Sequence, residues 1–149
     1  MKVADTSALY ALFRANDAHH AQAKAQLATG EPILVPAEIL TETLCLVQFR
    51  AGFAPAREVA RFLERTPCVE VAPTPDDPWD DILGEAARCF EAGGGLLSRA
   101  DAVVVAWSRK RRLEPWSYDR ELLAATRSPS AGFLSRTARP PPAAGPTPG

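Results

Sequence analysis

Lys2-Val3-Ala4-Asp5-Thr6-Ser7-Ala8-Leu9-Tyr10-Ala11-Leu12-Phe13 opens the chain, and its reading decides the rest. A short apolar run ends in an acid, and apolar residues then recur at helical spacing. A strand therefore passes directly into a helix that Ser7 or Asp5 can cap. The same punctuation returns downstream. Ile33-Leu34-Val35 reads as a second strand, and Pro36 opens a helix carrying Ile39, Leu40, Thr43, Leu44 and Val47 on one stripe. Cys68-Val69-Glu70-Val71 reads as a third strand and Glu114 to Tyr118 as a fourth, with Asp119 opening a last short helix to about Ala125. Further helices fit Ala18 to Ala28, Pro55 to Arg65, Trp79 to Glu91 and Arg99 to Arg111. Short apolar runs alternating with helical stretches predict an α/β fold built on a parallel sheet. A fifth edge strand is expected near Gly132 to Leu134.

The composition agrees with one folded unit. The chain has 149 residues, 46% hydrophobic and 23% charged, a balance that excludes a disordered, collagen-like or coiled-coil chain. Five prolines among the small residues of Ala138 to Gly149 predict an extended tail, so the domain is expected over 1–136 and the tail over 137–149. Cys45, Cys68 and Cys89 contain no C-x-x-C pair and read as small core residues in a reducing compartment. Asp5 breaks any apolar leader, and no run approaches membrane-spanning length, so the expected location is cytoplasmic with no membrane partner. Net charge is −1 but unevenly spread: residues 1–98 hold 8 basic and 14 acidic groups, residues 99–149 hold 9 and 4. Local binding of a polyanion is compatible with that asymmetry.

The informative feature is where the acids fall. Asp5 ends the first strand, Asp119 ends the fourth, and Asp101 lies in the first turn of the helix before the fourth. In an open parallel sheet the C-terminal strand ends face the functional crevice. Glu42 lies about two turns into the helix after the second strand, where it can lean over the same edge, with Glu38 one turn earlier. Each acid alone has a structural reading: Asp5 and Asp119 as caps, Asp101 in a capping box with Ser98, Glu42 as an exposed helical residue. Their joint placement favours convergence. Carboxylates about 4 Å apart repel by about 4 kcal/mol at an effective dielectric near 20, and a hard cation such as Mg²⁺ or Mn²⁺ would relieve that.

Four pieces, Val3-Ala4-Asp5-Thr6-Ser7, Val35-Pro36-Ala37-Glu38-Ile39-Leu40-Thr41-Glu42, Ser98-Arg99-Ala100-Asp101-Ala102 and Ser117-Tyr118-Asp119, occur in an order that resembles the PIN-domain ribonucleases. Within them the pattern is similar to the VapC-like toxins of bacterial toxin–antitoxin pairs. The resemblance implies a three-layer α/β fold with a mostly parallel four- to five-stranded sheet flanked by helices. It implies Asp5, Glu42, Asp101 and Asp119 as the acidic, metal-binding catalytic set, with Ser7 and Ser117 in support. It also implies Mg²⁺- or Mn²⁺-dependent hydrolysis of RNA, a VapB-like antitoxin partner and a homodimer. The competing expectation is a PIN-like module that binds RNA or assembles without catalysis.

Other features carry less. Arg109-Lys110-Arg111-Arg112 sits at a helix C-terminus, where cations complement the dipole; with Arg99 and Arg120 it could also neutralise RNA phosphates. His19 and His20 read as surface residues, and Trp107 and Trp116 as packing residues. Asp76, Asp77, Asp80 and Asp81 read as a solvated loop and helix start. Gly93-Gly94-Gly95 lacks the Lys and Ser or Thr of a phosphate-binding P-loop, and Asp5-Thr6-Ser7 lacks the second Asp of haloacid-dehalogenase-type phosphatases.

Overall fold

The computed structural model describes residues 1–73 and 81–127. The expected strand near Gly132 to Leu134, the domain end at 136, the proline-rich tail, Trp79 and most of the Asp76–Asp81 cluster lie outside them. Eleven elements are described: β1 Lys2–Ala4, α1 Thr6–Phe13, α2 His20–Ala28, β2 Ile33–Pro36, α3 Ala37–Ala51, α4 Phe53–Arg65, β3 Val69–Ala72, α5 Asp81–Ala92, α6 Arg99–Arg111, β4 Glu114–Trp116 and α7 Arg120–Arg127.

The four strands pair in the order β3-β2-β1-β4, all parallel, with Val3 opposite both Leu34 and Pro115 and Val35 opposite Val71. Apart from Lys2 at the start of β1, the central strands are apolar because helices cover both sheet faces: Val3, Ala4, Ile33 and Val35 are inaccessible to solvent. Pro115, which has no N–H to give a ladder, sits on β4 at the edge of the described sheet. The chain walks outward from β1 to β2 to β3, then returns past β1 to add β4 on the other side. Right-handed crossovers send the helices of those opposite walks to opposite faces, giving helix, sheet and helix layers. The C-terminal ends of β1 and β4 lie side by side where the direction reverses, the place where such sheets open a crevice.

Helix α6 is deeply set. Residues 102–106 are all buried, and the helix packs on α5, α7, α3, β1 and β4. Its start and end follow from local chemistry. Ser98 Oγ accepts from the Asp101 amide at 3.1 Å while Asp101 Oδ2 accepts from the Ser98 amide at 2.7 Å, and Arg112 ends the helix in the left-handed region at φ 54°. A second clamp holds α6 to its neighbours. Glu85 of α5, 7% exposed, accepts from Arg109 Nη1 at 3.2 Å and from Arg88 Nη2 at 2.9 Å, and Arg109 Nη2 donates to the Ala125 carbonyl of α7 at 2.9 Å. Burial raises the Glu85 pKa, but the hydrogen bonds from Arg88, Arg109 and Cys89 outweigh it and hold the carboxyl below its ordinary value.

Some boundaries move for identifiable reasons. Asp5, not Ser7, caps α1, because the acid leaves β1 in an extended conformation with its carboxylate facing the Ser7 amide. Helix α4 begins at Phe53 rather than Pro55, since a proline in the first turn forfeits no intrahelical hydrogen bond. Strand β4 ends at Trp116 instead of Tyr118, because Ser117 turns its hydroxyl to Asp5 as the chain leaves the sheet.

Candidate active site

Asp5 is the centre of the site and is 2% exposed. It is held in place from both adjoining strand ends. Its own amide donates to the Trp116 carbonyl at 3.0 Å, which ties the end of β1 to the end of β4. Its Oδ2 accepts from the Ser7 amide at 3.1 Å, from Ser7 Oγ at 2.6 Å and from Ser117 Oγ at 2.8 Å. Burial pushes the Asp5 pKa up; the Ser7 and Ser117 hydrogen bonds oppose that rise, and the negative charge of Asp101 adds to it. The serines are themselves fixed. Ser7 Oγ accepts from the Tyr118 amide at 3.0 Å, Ser117 Oγ accepts from the Asp119 amide at 3.0 Å, and the two hydroxyls lie 3.2 Å apart.

The other acids arrive on separate elements. Glu42 comes from α3, where its Oε2 accepts from Thr6 Oγ1 at the first position of α1. Asp101 stands in the first turn of α6, with Oδ2 engaged in the capping box. Asp119 caps α7, its Oδ1 accepting from the amides of Glu121 at 2.7 Å and Leu122 at 3.1 Å. Asp5, Glu42, Asp101 and Asp119 all line one cleft of about 400 Å³, together with Thr6, Ser7, Tyr10, Leu46, Arg50 and Ser98. Glu38 lines a different hollow, beside Phe90 and Arg99. Among the described residues no three of the acids converge closely enough to form a ready metal-ligand cluster.

The donor set nevertheless fits a hard divalent cation. Asp5 is a buried carboxylate whose hydrogen-bond donors are two hydroxyls and one backbone amide, and among the described residues no basic side chain pairs with it. Oxygen ligands without imidazole or thiolate suit Mg²⁺ and Mn²⁺. Asp5, Asp101 and Asp119 each spend one carboxylate oxygen on local structure, and the second has no hydrogen bond among the described residues. The acids are therefore oriented by the fold and retain ligand capacity.

The expected basic set is dispersed. Arg109 is drawn into the Glu85 clamp, and Arg111 pairs with Asp81 at 3.2 Å while lying over the Trp107 ring. Lys110 and Arg112 are exposed at the C-terminal end of α6. Ten residues of helix separate Asp101 from Arg111, about 15 Å along the axis, so this cluster and the cleft-lining Asp101 occupy opposite ends of one helix. Arg99, at the N-terminus of α6, lies over Phe90, and Arg120 is exposed at the start of α7. Of the histidines, His19 is exposed and stacks on Tyr118 with ring centroids 4.2 Å apart, and His20 Nδ1 lies 2.8 Å from the Ala11 carbonyl. Sequence reasoning missed Thr6, Tyr10, Leu46 and Arg50 as cleft residues. The signal was present for two of them, because Leu46 and Arg50 follow Glu42 at successive intervals of four and so share its helix face.

No curated protein matches the sequence. Among solved structures, the crystal structure of Mycobacterium tuberculosis VapC20, a sarcin-ricin loop cleaving toxin, is similar with a TM-score of 0.68 and 24% identity, over 84% of this chain and 95% of that one. At that identity the likeness establishes the shared fold. The PIN domain family matches residues 2–127, which span all eleven elements and all four acids. The chain belongs to the PIN-domain family.

Proposed function

We propose that this protein is a metal-dependent endoribonuclease and the toxin of a toxin–antitoxin pair. The observation that carries the reading is that four carboxylates, from the end of β1, the cap of α7, and helices α3 and α6, line one cleft at the topological reversal of the sheet. Asp5 and Asp101 would hold Mg²⁺ or Mn²⁺ directly, with Asp119 and Glu42 acting directly or through water. Bound there, the ion would supply Lewis acidity, raising the nucleophilicity of a water and stabilising negative charge on the phosphate.

The chain's own groups set the geometry for hydrolysis, in which a water oxygen bonds to phosphorus as the bond to the leaving sugar oxygen breaks. Ser7 and Ser117 fix Asp5 through Oδ2, Thr6 orients Glu42, and the α6 and α7 caps orient Asp101 and Asp119. The similarity of fold to a sarcin-ricin loop cleaving toxin, together with membership of the PIN-domain family, supports RNA as the substrate. For the expected VapB-like antitoxin and a homodimer, support comes from exposed apolar side chains, Phe49 at 89% on α3 and Phe53 at 65% on α4, and from a separate groove lined by Phe13, Val47, Val59 and Phe62. Among the described residues no helix is long and apolar enough to cross a membrane.

The test is cleavage of single-stranded and structured RNA with Mn²⁺, with chelator, and with Asp5→Asn. Cleavage that needs the ion and is lost in the variant supports the reading; activity that survives both treatments rejects it. A protein that neither cleaves RNA nor gains thermal stability with Mg²⁺ or Mn²⁺ would be the non-catalytic module.

A further inference from the structure

A cleft lined by four carboxylates repels the polyanion it is meant to bind, so some cationic group must offset that field near the reacting phosphate. Among the described residues, Arg50 is the basic side chain lining the cleft. It is exposed, and it forms no ion pair with any of the neighbouring acids. Instead, its Nη1 donates to Tyr10 Oη at 3.3 Å, and its guanidinium carbon stands 5.3 Å from the centre of the Tyr10 ring. Arg14 approaches the same ring at 5.8 Å. Tyr10 thus orients one guanidinium at the cleft, with a second cation near its ring.

Resting on the nuclease reading above, we propose that Arg50, held by Tyr10, binds a backbone phosphate of the RNA strand adjacent to the scissile one, and that this site, rather than the Arg109–Arg112 cluster, supplies the principal phosphate contact. Arg50 lies eight residues beyond Glu42 on α3, about 12 Å along the helix, and helical side chains lean toward the N-terminus, back toward Glu42. That offset sets it beside the acids but not on the same phosphate. A guanidinium committed to one phenolic oxygen keeps most of its five donors for a phosphate, in the fork geometry that lysine lacks.

The experiment is fluorescence anisotropy with a labelled single-stranded RNA, using the full chain with Ca²⁺ in place of Mg²⁺ and checking strand integrity on a gel. Four variants are compared with the unmodified protein: Arg50→Ala, Arg50→Lys, Lys24→Ala as a matched loss of exposed charge on α2, and Lys110→Ala with Arg112→Ala as the rival site. Thermal melts establish that each is folded. Arg50→Ala is expected to weaken binding about 10- to 100-fold. It should also make the slope of log affinity against log salt shallower by about 0.7, the value for one phosphate contact on a single strand. Arg50→Lys should retain the salt slope while losing part of the affinity. Equal losses for Arg50→Ala and Lys24→Ala, or a larger loss at the rival site, would overturn the proposal while leaving the nuclease reading intact. An unmodified protein that binds no RNA would overturn both.

Discussion

Replacing Glu85 by Ala tests whether an ion cluster remote from the cleft holds the acid-bearing helices in place. Glu85 ties α5 to Arg109 of α6, and Arg109 reaches on to α7, so the clamp links the helix carrying Asp101 to the helix that Asp119 caps. Breaking a buried ion pair by removing one partner costs about 3–5 kcal/mol. Two features lower the figure here: the Arg109 side chain is 19% exposed, and it keeps its bond to the Ala125 carbonyl. About 2–3 kcal/mol is therefore expected, a fall in Tm of about 6–12 °C for a chain of this length. Arg88→Ala provides the internal contrast. Its side chain is 63% exposed, so its bond to the same carboxylate should contribute no more than about 0.5 kcal/mol. Urea denaturation followed by circular dichroism, with m unchanged, measures both. Because the folded pKa of Glu85 lies below its ordinary value, its stabilisation is present at pH above that ordinary value and is lost as pH falls through the folded one. The gap between the native protein and Glu85→Ala should accordingly narrow in acid. If the two variants agree within about 0.5 kcal/mol near neutral pH, the clamp is not structural and the reasoning fails.

Three further outcomes follow from the site. Asp5→Asn should make the metal-free protein more stable near neutral pH: burial raises the Asp5 pKa, so its ionised form weakens the fold once pH exceeds that raised value. Thermal melts in chelator measure this, and a lower Tm for the variant would contradict it. Mn²⁺ at about 100 times its dissociation constant should stabilise the native protein by about 2.7 kcal/mol and Asp5→Asn by much less, read by the same melts. Ser117→Ala removes a hydrogen bond that lowers the Asp5 pKa and leaves the Asp119 amide without its acceptor. It should destabilise by about 1–2 kcal/mol and move the acidic limb of a pH–rate profile to higher pH, a displacement that loss of stability alone would not produce.

Much of the fold was legible because its signals are local. Ser98 and Asp101 specify the start of α6 through reciprocal side-chain and backbone hydrogen bonds, and the predicted span Arg99 to Arg111 is the one observed. The apolar run Ile33-Leu34-Val35 identifies a strand because it is buried on both faces, and all three residues are buried in the sheet. Likewise, acids at strand ends and helix starts could be read as one site, since their order along the chain follows the order of the elements. The strand limit at Trp116 could not be read, because a partner 112 residues away, Asp5, turns Ser117 out of the ladder.

What the sequence alone determined, then, is the alternation of elements and the parallel sheet, consequences of periodicity and capping between near neighbours, while the expectation of four acids at one edge came from their order along the chain and its resemblance to a family, and all four line one cleft. Only the tertiary structure decided which cations share the cleft with them. Arg109 through Arg112 are consecutive, yet one is half-buried and paired with Glu85 and the group stands a helix length from Asp101, while Arg50, unremarkable in sequence, meets Tyr10 at the cleft. Charge clustering in a chain measures proximity along the backbone; the field at a site depends on proximity through space, and that is set by how the helices pack across the sheet.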